Sequence, residues 1–226
     1  MLPELGAEGQ KRLSATKILL VGAGGLGSPI ATYLTAAGIG TLGIIDADKV
    51  SVSNLQRQTL YTEDEVGQSK VECAYKRLHG LNHEVSIHTY DCFMTKDNAA
   101  EIISGYDMVV DGCDNFATRF IINDICIAAG KPYIYGSIQG LNGQVSVFGI
   151  PDASGKVHSY RDLHDESELL SMEAPSKAVL GITPAVTGSV EANQALQLAA
   201  GFGEPLIGKL WSIDLRTMES YIIDLP

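Results

Sequence analysis

No two of the four cysteines, Cys73, Cys92, Cys113 and Cys126, stand as a CxxC pair. Without close pairs they suggest neither a tetrahedral zinc site nor the disulfide framework of a small secreted domain, and the chain reads as a reduced protein. No apolar run reaches the roughly 18 residues that span a bilayer. The opening "MLPELGAEGQKRL" has none of the apolar core of a secretory signal. A soluble, cytoplasmic protein with no membrane association is expected. Cations are scarce as well. Sixteen Lys and Arg against 27 Asp and Glu leave a formal net charge of −11, whereas a general nucleic-acid binder should be basic. Local charge still permits an acidic nucleotide as ligand. Repeats and low-complexity segments are absent. Trp211, the single tryptophan, falls in a predicted strand and is expected to be packed or at an interface.

What is present is α/β alternation. The 226 residues suit one α/β domain with an embellishment, and 45% hydrophobic residues suffice for a large core. "KILLVG" (17–22) has the apolar texture of a buried parallel strand. "GAGGLG" (22–27) follows, then helical spacing over 28–38 that stops at Gly38, then a strand over 41–46. The alternation continues with helix 69–82, strand 84–90, helix 97–105, strand 106–112, helix 115–130 and strand 132–137. It predicts a Rossmann-like, doubly wound, mostly parallel sheet. After Gly140 the texture changes. Strand 143–150 precedes a polar excursion over 151–177, a helix over 188–201 and two strands within 208–225. We therefore expect one domain over 1–226, with a nucleotide-binding part (1–140) and an antiparallel C-terminal extension (141–226) that carries a long crossover loop at 151–180.

The glycine loop lies between a strand and a helix. Gly22 permits the turn, Gly24 and Gly25 allow backbone to approach a ligand, and Gly27 lets helix and strand pack closely. Asp46 ends the next strand about 20 residues on, where a carboxylate accepts hydrogen bonds from ribose, with Asp48 beside it. A polar, cationic stretch comes next, "SVSNLQRQTLY" (51–61), with Asn54, Arg57 and Gln58. A nicotinamide enzyme has no use for it, but a polyphosphate does. Arg57 and Lys70, the latter at the start of the next helix, supply the two kinds of cation that suit phosphoryl oxygens. "VVDGCDNFATR" (109–119) places Asp111 and Asp114 at the ligand edge of a central strand. Asp114 suits either a helix N-cap or a magnesium ligand. Asp114 and Asn115 together can cap the helix and touch nucleotide. Arg119, one turn on, reads equally as ion-pair partner or ligand.

Taken together, "GAGGLGSP", "IIDADKVSVSNLQRQTLY", "GQSK" and "DGCDNFATR" resemble the ubiquitin-activating-enzyme-like adenylyltransferases of bacteria, the ThiF, MoeB and HesA type. The flanking "LPELGAEGQKRL" and "GITPAVTGSVEANQAL" look like family segments too. The resemblance implies ATP and Mg²⁺ as cofactors and a homodimer. It implies joining of AMP to the C-terminal Gly-Gly carboxylate of a small ubiquitin-like sulfur-carrier protein, of the thiamine or molybdopterin type, with release of pyrophosphate. By motif match Asp46 would hold ribose, Asn54, Arg57 and Lys70 would contact phosphates, and Asp114 would position magnesium. Arg57, Lys70 and Asp114 are thus the expected catalytic residues. Three departures stand out. "SYRDL" (159–163) takes the place of the first of two CxxC pairs that hold zinc in many relatives, so no structural zinc is expected. No cysteine precedes "AVLGITP", so a covalent sulfur adduct on that loop is not expected. The chain starts after the place of the arm that carries an arginine to the partner's ATP in relatives, so either a truncated arm or substitution by another cation such as Arg12 is expected. His158 and His164 flank the substituted zinc segment and read as solvated loop residues rather than metal ligands. The competing readings are an NAD-dependent oxidoreductase and a non-catalytic protein that binds ATP or the carrier.

Overall fold

A computed structural model of the chain describes residues 2–172 and 178–226. The strands are β1 (Lys17–Val21), β2 (Thr41–Ile45), β3 (Ser86–Tyr90), β4 (Met108–Asp111), β5 (Tyr133–Gln139), β6 (Asn142–Phe148), β7 (Lys209–Asp214) and β8 (Glu219–Asp224). They form one sheet in the order β3-β2-β1-β4-β5-β6-β7-β8. Pairing is parallel from β3 to β5 and antiparallel from β5 to β8. The doubly wound sheet with an antiparallel extension is therefore as expected.

The helices are α1 (Gly6–Ala15), α2 (Gly27–Ala37), α3 (Lys70–Leu81), α4 (Ala99–Ser104), α5 (Phe116–Ala129), α6 (Tyr160–Leu163), α7 (Glu166–Ser171) and α8 (Ile182–Ala200). β1 and β4 are central and almost wholly buried, so apart from Lys17 and Asp111 at their ends their side chains are apolar on both faces. On one face Leu13 of α1, Leu34 of α2, Leu78 of α3 and Ala195 of α8 join one core cluster. On the other, Ile103 of α4, Phe120 of α5 and Tyr160 of α6 join a second. At about 25 cal/mol per Å², each large aliphatic or aromatic side chain buried this way contributes roughly 1.5–3 kcal/mol before entropy is subtracted.

Three elements differ from the sequence expectation. α1 was not expected at all. It is short and buries only Gly9 and Leu13, and it is held by tertiary contacts, with the Arg12 guanidinium donating to the Ala200 carbonyl at the end of α8. Arg12 is thereby committed to an internal carbonyl. α8 begins at Ile182, not at 188. Gly188, read as its start, lies inside the helix where a Cβ would stand 2.6 Å from the Leu26 carbonyl oxygen. Pro184 sits in the first turn, where its missing N–H costs nothing. The excursion after β6 carries α6 and α7, and the part of it at residues 173–177 lies outside the described residues.

Strand order reverses between β1 and β4, the two strands that neighbour each other at the sheet's centre. In open α/β sheets the crevice at the C-terminal ends of such strands is the ligand position.

Candidate nucleotide site

The turns after β1 and β4 touch. Gly22 has φ +95, and a Cβ on it would lie 2.5 Å from the Gly112 carbonyl oxygen. A Cβ on Gly27 would lie 2.1 Å from the Gly22 oxygen. No other residue fits these positions, which is why the sequence has glycine there. α2 starts without a side-chain cap right after the glycine loop, so the helix's partial positive charge lies beside that loop.

Asp46 follows β2. Its Oδ2 accepts from the Ala23 amide and its Oδ1 from the Asp48 amide, both at 2.8 Å. Burial pushes its carboxyl above the ordinary range, and Lys70 and the two amides oppose that shift. Lys70, the first residue of α3, is 4% exposed. Its Nζ lies 2.8 Å from Asp48 Oδ2 and 3.8 Å from Asp46 Oδ2.

The cationic stretch is a closed loop. The Lys70 amide bonds to the Asp48 carbonyl, and Val50 exchanges bonds with Gln68 and Gly67 at its neck. Inside it, a 3₁₀ turn over Val52–Asn54 lets the Asn54 carbonyl accept from the amides of Arg57 and Gln58. The half-buried Arg57 side chain runs past Gly25, and its Nη1 donates to the Ser53 carbonyl at 3.0 Å. Gln58 is buried beside Gly24, and its Oε1 has no hydrogen-bond partner. Asn54 is half-buried.

Asp114 lies between Cys113 and Asn115, and both Asp114 and Asn115 are exposed at the mouth of the crevice. Asn115, not Asp114, caps α5, accepting from the Thr118 amide at 2.8 Å. Asp111, by contrast, is fully buried and paired with Arg119 at 2.9 Å, so Arg119 takes the ion-pair role. Burial and the neighbouring Asp111 carboxylate hold the Cys113 thiol well above its usual range.

Two residues that sequence reasoning missed organise this site. Tyr61 donates its hydroxyl to the Ala23 carbonyl at 2.7 Å, tying the cationic loop to the glycine loop. Burial raises its phenol, so it stays a donor. The apolar pair Leu60–Tyr61 inside a polar stretch was the available signal. Gly181, at the start of α8, is the second. A Cβ there would stand 2.3 Å from the Gln56 carbonyl oxygen, so α8 abuts the loop directly.

His158 also departs from expectation. It is 2% exposed, with Nε2 3.0 Å from Asp152 Oδ2. His164 is half-buried, its ring centroid 4.9 Å from that of Tyr160. The segment "SYRDL" forms α6, with Ser159 and Asp162 closing a capping box and Arg161 forking onto Asp124. Among the described residues no helix is long and apolar enough to cross a membrane.

Residues 1–225 match the model of the ThiF family. The chain belongs to the ThiF family. It is 44% identical over 218 residues to the sulfur carrier protein adenylyltransferase of Thermus thermophilus, covering 95% of this chain and 80% of that protein. It is 42% identical over 221 residues to the probable adenylyltransferase/sulfurtransferase MoeZ of Mycobacterium tuberculosis, covering 96% of this chain but 56% of the relative. The SAMP-activating enzyme E1 of Haloferax volcanii is 38% identical over 220 residues, with 96% and 80% covered. Among solved structures, E. coli MccB superposes with a TM-score of 0.82 at 23% identity, over 98% of this chain and 68% of that one, which establishes the shared fold.

Proposed function

We propose that this ThiF-family chain is an ATP-dependent adenylyltransferase that activates the C-terminal Gly-Gly carboxylate of a ubiquitin-like sulfur carrier. The observation that carries the reading is the convergence at one crevice of the glycine loop, the acid Asp46, the buried cation Lys70 and the loop cation Arg57. The names of the relatives, two adenylyltransferases and one SAMP-activating enzyme, support it. They leave the dehydrogenase reading without ground.

The residues fit a nucleotide. Asp46 stands where ribose hydroxyls would donate, the uncapped start of α2 suits phosphate, and the orphaned Gln58 Oε1 awaits a donor. Asn54, Arg57 and Lys70 would meet the phosphates. Among the described residues no three His, Cys, Asp or Glu side chains gather as a metal cage. Mg²⁺ needs none, since it takes one or two carboxylates with phosphate oxygens and water, and Asp114 would be that carboxylate. When bound, it neutralises charge on the phosphoryl oxygens and the leaving pyrophosphate.

The chemistry asks for no side-chain nucleophile. A carrier carboxylate oxygen donates its electron pair to the α-phosphorus, an O–P bond forms, and the bond to pyrophosphate breaks. Negative charge grows on the phosphoryl oxygens. Fixed cations stabilise that charge more in the transition state than in the ground state. Arg57 supplies a planar fork and Lys70 a point charge.

The finer reading is a homodimer acting on a carrier of thiamine or molybdopterin type. Exposed Tyr33 and Ile182 border shallow apolar concavities along α2 and α8, which suit a second copy. The test is ATP–pyrophosphate exchange with candidate carriers, beside sedimentation velocity. Exchange should require an intact Gly-Gly tail, and Asp114→Ala should abolish it with the fold intact. Exchange by a carrier truncated before Gly-Gly would sink the reading.

A further inference from the structure

Every polar group of Cys113, the residue just before Asp114, is held by one buried pair. Asp111 Oδ1 accepts from the Cys113 amide at 2.9 Å and from its thiol. Arg119 Nη2 donates to the Cys113 carbonyl at 3.0 Å and to the Gly136 carbonyl of β5 at 2.9 Å, while its Nε holds Asp111 Oδ2 at 2.9 Å. Tyr133 donates the fourth bond that the Asp111 carboxylate accepts, from its hydroxyl to Oδ2 at 2.9 Å. The guanidinium lies 5.4 Å from the Tyr135 ring centroid. On the far side of Asp114, Asn115 is locked as the α5 cap.

We propose that Arg119 is a positioning residue, which by bridging Asp111, the Cys113 carbonyl and Gly136 fixes the turn that aims Asp114 into the crevice. The role assigned to Asp114 rests on the adenylation reading; the bracing of the turn does not. A buried ion pair is weak evidence for stability as such, because apolar side chains of equal volume often do as well. What apolar side chains cannot do is hold a carboxylate and two carbonyls from separate elements at once. A guanidinium fork can, and a lysine ammonium on its flexible stem cannot keep all three in fixed directions. The pair therefore sets direction rather than bulk. Loss of a partner at this remove typically costs 10–100-fold in activity.

The experiment compares the full chain with Arg119→Lys and Tyr133→Phe. One readout is kcat and KM for ATP in pyrophosphate exchange. The other is the native-state alkylation rate of Cys113 by iodoacetamide, resolved by peptide mass spectrometry, with buried Cys126 of α5 as the internal reference. Arg119→Lys should lower kcat about ten- to a hundredfold with KM for ATP within about threefold. Cys113 should label at least about tenfold faster and Cys126 no faster. Tyr133→Phe, which leaves the fork in place, should stay within about threefold on both readouts. Labelling of Cys113 and Cys126 that rises together, or an unchanged Cys113 rate, would overturn the proposal. If Arg119→Lys fails to fold, the charge-free double variant Asp111→Asn, Arg119→Gln is read by the same two labelling rates. If the wild-type chain shows no exchange with any carrier, the adenylation reading falls while the labelling still decides the bracing.

Discussion

The ammonium of Lys70 stands 2.8 Å from the exposed Asp48 carboxylate and 3.8 Å from the more buried Asp46 carboxylate. One cation thus serves two acids, and the buried one depends on it more. Burial has already raised Asp46 above its ordinary value, and Lys70 is the largest influence pulling it back. Lys70→Met should therefore destabilise the fold by about 3 kcal/mol at pH 7, the usual cost of stranding a buried charge. The sign with pH follows. A carboxyl raised in the folded state contributes most below its unfolded value near 3.8 and loses that contribution as pH climbs through the folded value. The variant's deficit should shrink on acidification towards pH 4. Urea titrations at pH 4.5 and 7 read this directly, and an equal deficit at both would refute it.

Arg57 makes one internal bond, to the Ser53 carbonyl, and stays half-buried. Its removal should leave stability almost unchanged. Arg57→Ala should nonetheless lower kcat/KM for ATP about tenfold or more, since a charge-assisted bond to phosphate contributes about 1.5–3 kcal/mol. Steady-state exchange kinetics beside a thermal melt check both halves. Full activity in this variant would remove Arg57 from the phosphates.

Glu191 of α8 is wholly buried against Gly136, and neither of its oxygens has a hydrogen-bond partner. Burial first, and Asp111 second, push its carboxyl well above the ordinary range despite Arg119. Its surroundings thus favour the neutral acid in the folded chain. The unfolded chain ionises first, so the wild type should lose stability as pH rises above about 4.5. Glu191→Gln keeps the shape without the titration. Its melting temperature relative to wild type should rise steadily from pH 5 to 8. A constant difference across that range would mean that Glu191 is already ionised.

Arg161 forks onto Asp124 at 2.7 Å through both nitrogens, reaches Glu166 at 2.8 Å and lies over the Phe120 ring. These contacts hold α6 and α7 against α5. All three charged groups are more than one-third exposed. Arg161→Ala should thus cost only about 1 kcal/mol globally. It should raise hydrogen exchange in 160–171 well before the sheet responds.

The sheet was legible because its signals are local. Apolar runs of strand length alternate with helical spacing, and Gly38, Gly130 and Gly201 close helices in the left-handed conformation. Glycine, acid and cation spacing also pointed to the residues that line the crevice. What escaped was whatever depends on a distant partner. α1 is held to the end of α8 by Arg12, and only Gly9 and Leu13 of its ten residues are buried. Gly188 punctuated the sequence like a helix boundary, though its lack of a side chain serves a helix crossing. The pairing of Asp111 with Arg119 could not be told from a ligand role, because burial, which decides between them, is a property of the packed chain.

Backbone presses on backbone where Gly22, Gly27 and Gly112 meet. With no side chains between them to act as shims, the curve of one bend dictates the curve of the other. Grafting either one from a relative without the other would seat a mismatched pair of curves, and exchange of nucleotide preference in this scaffold has to be attempted on both together.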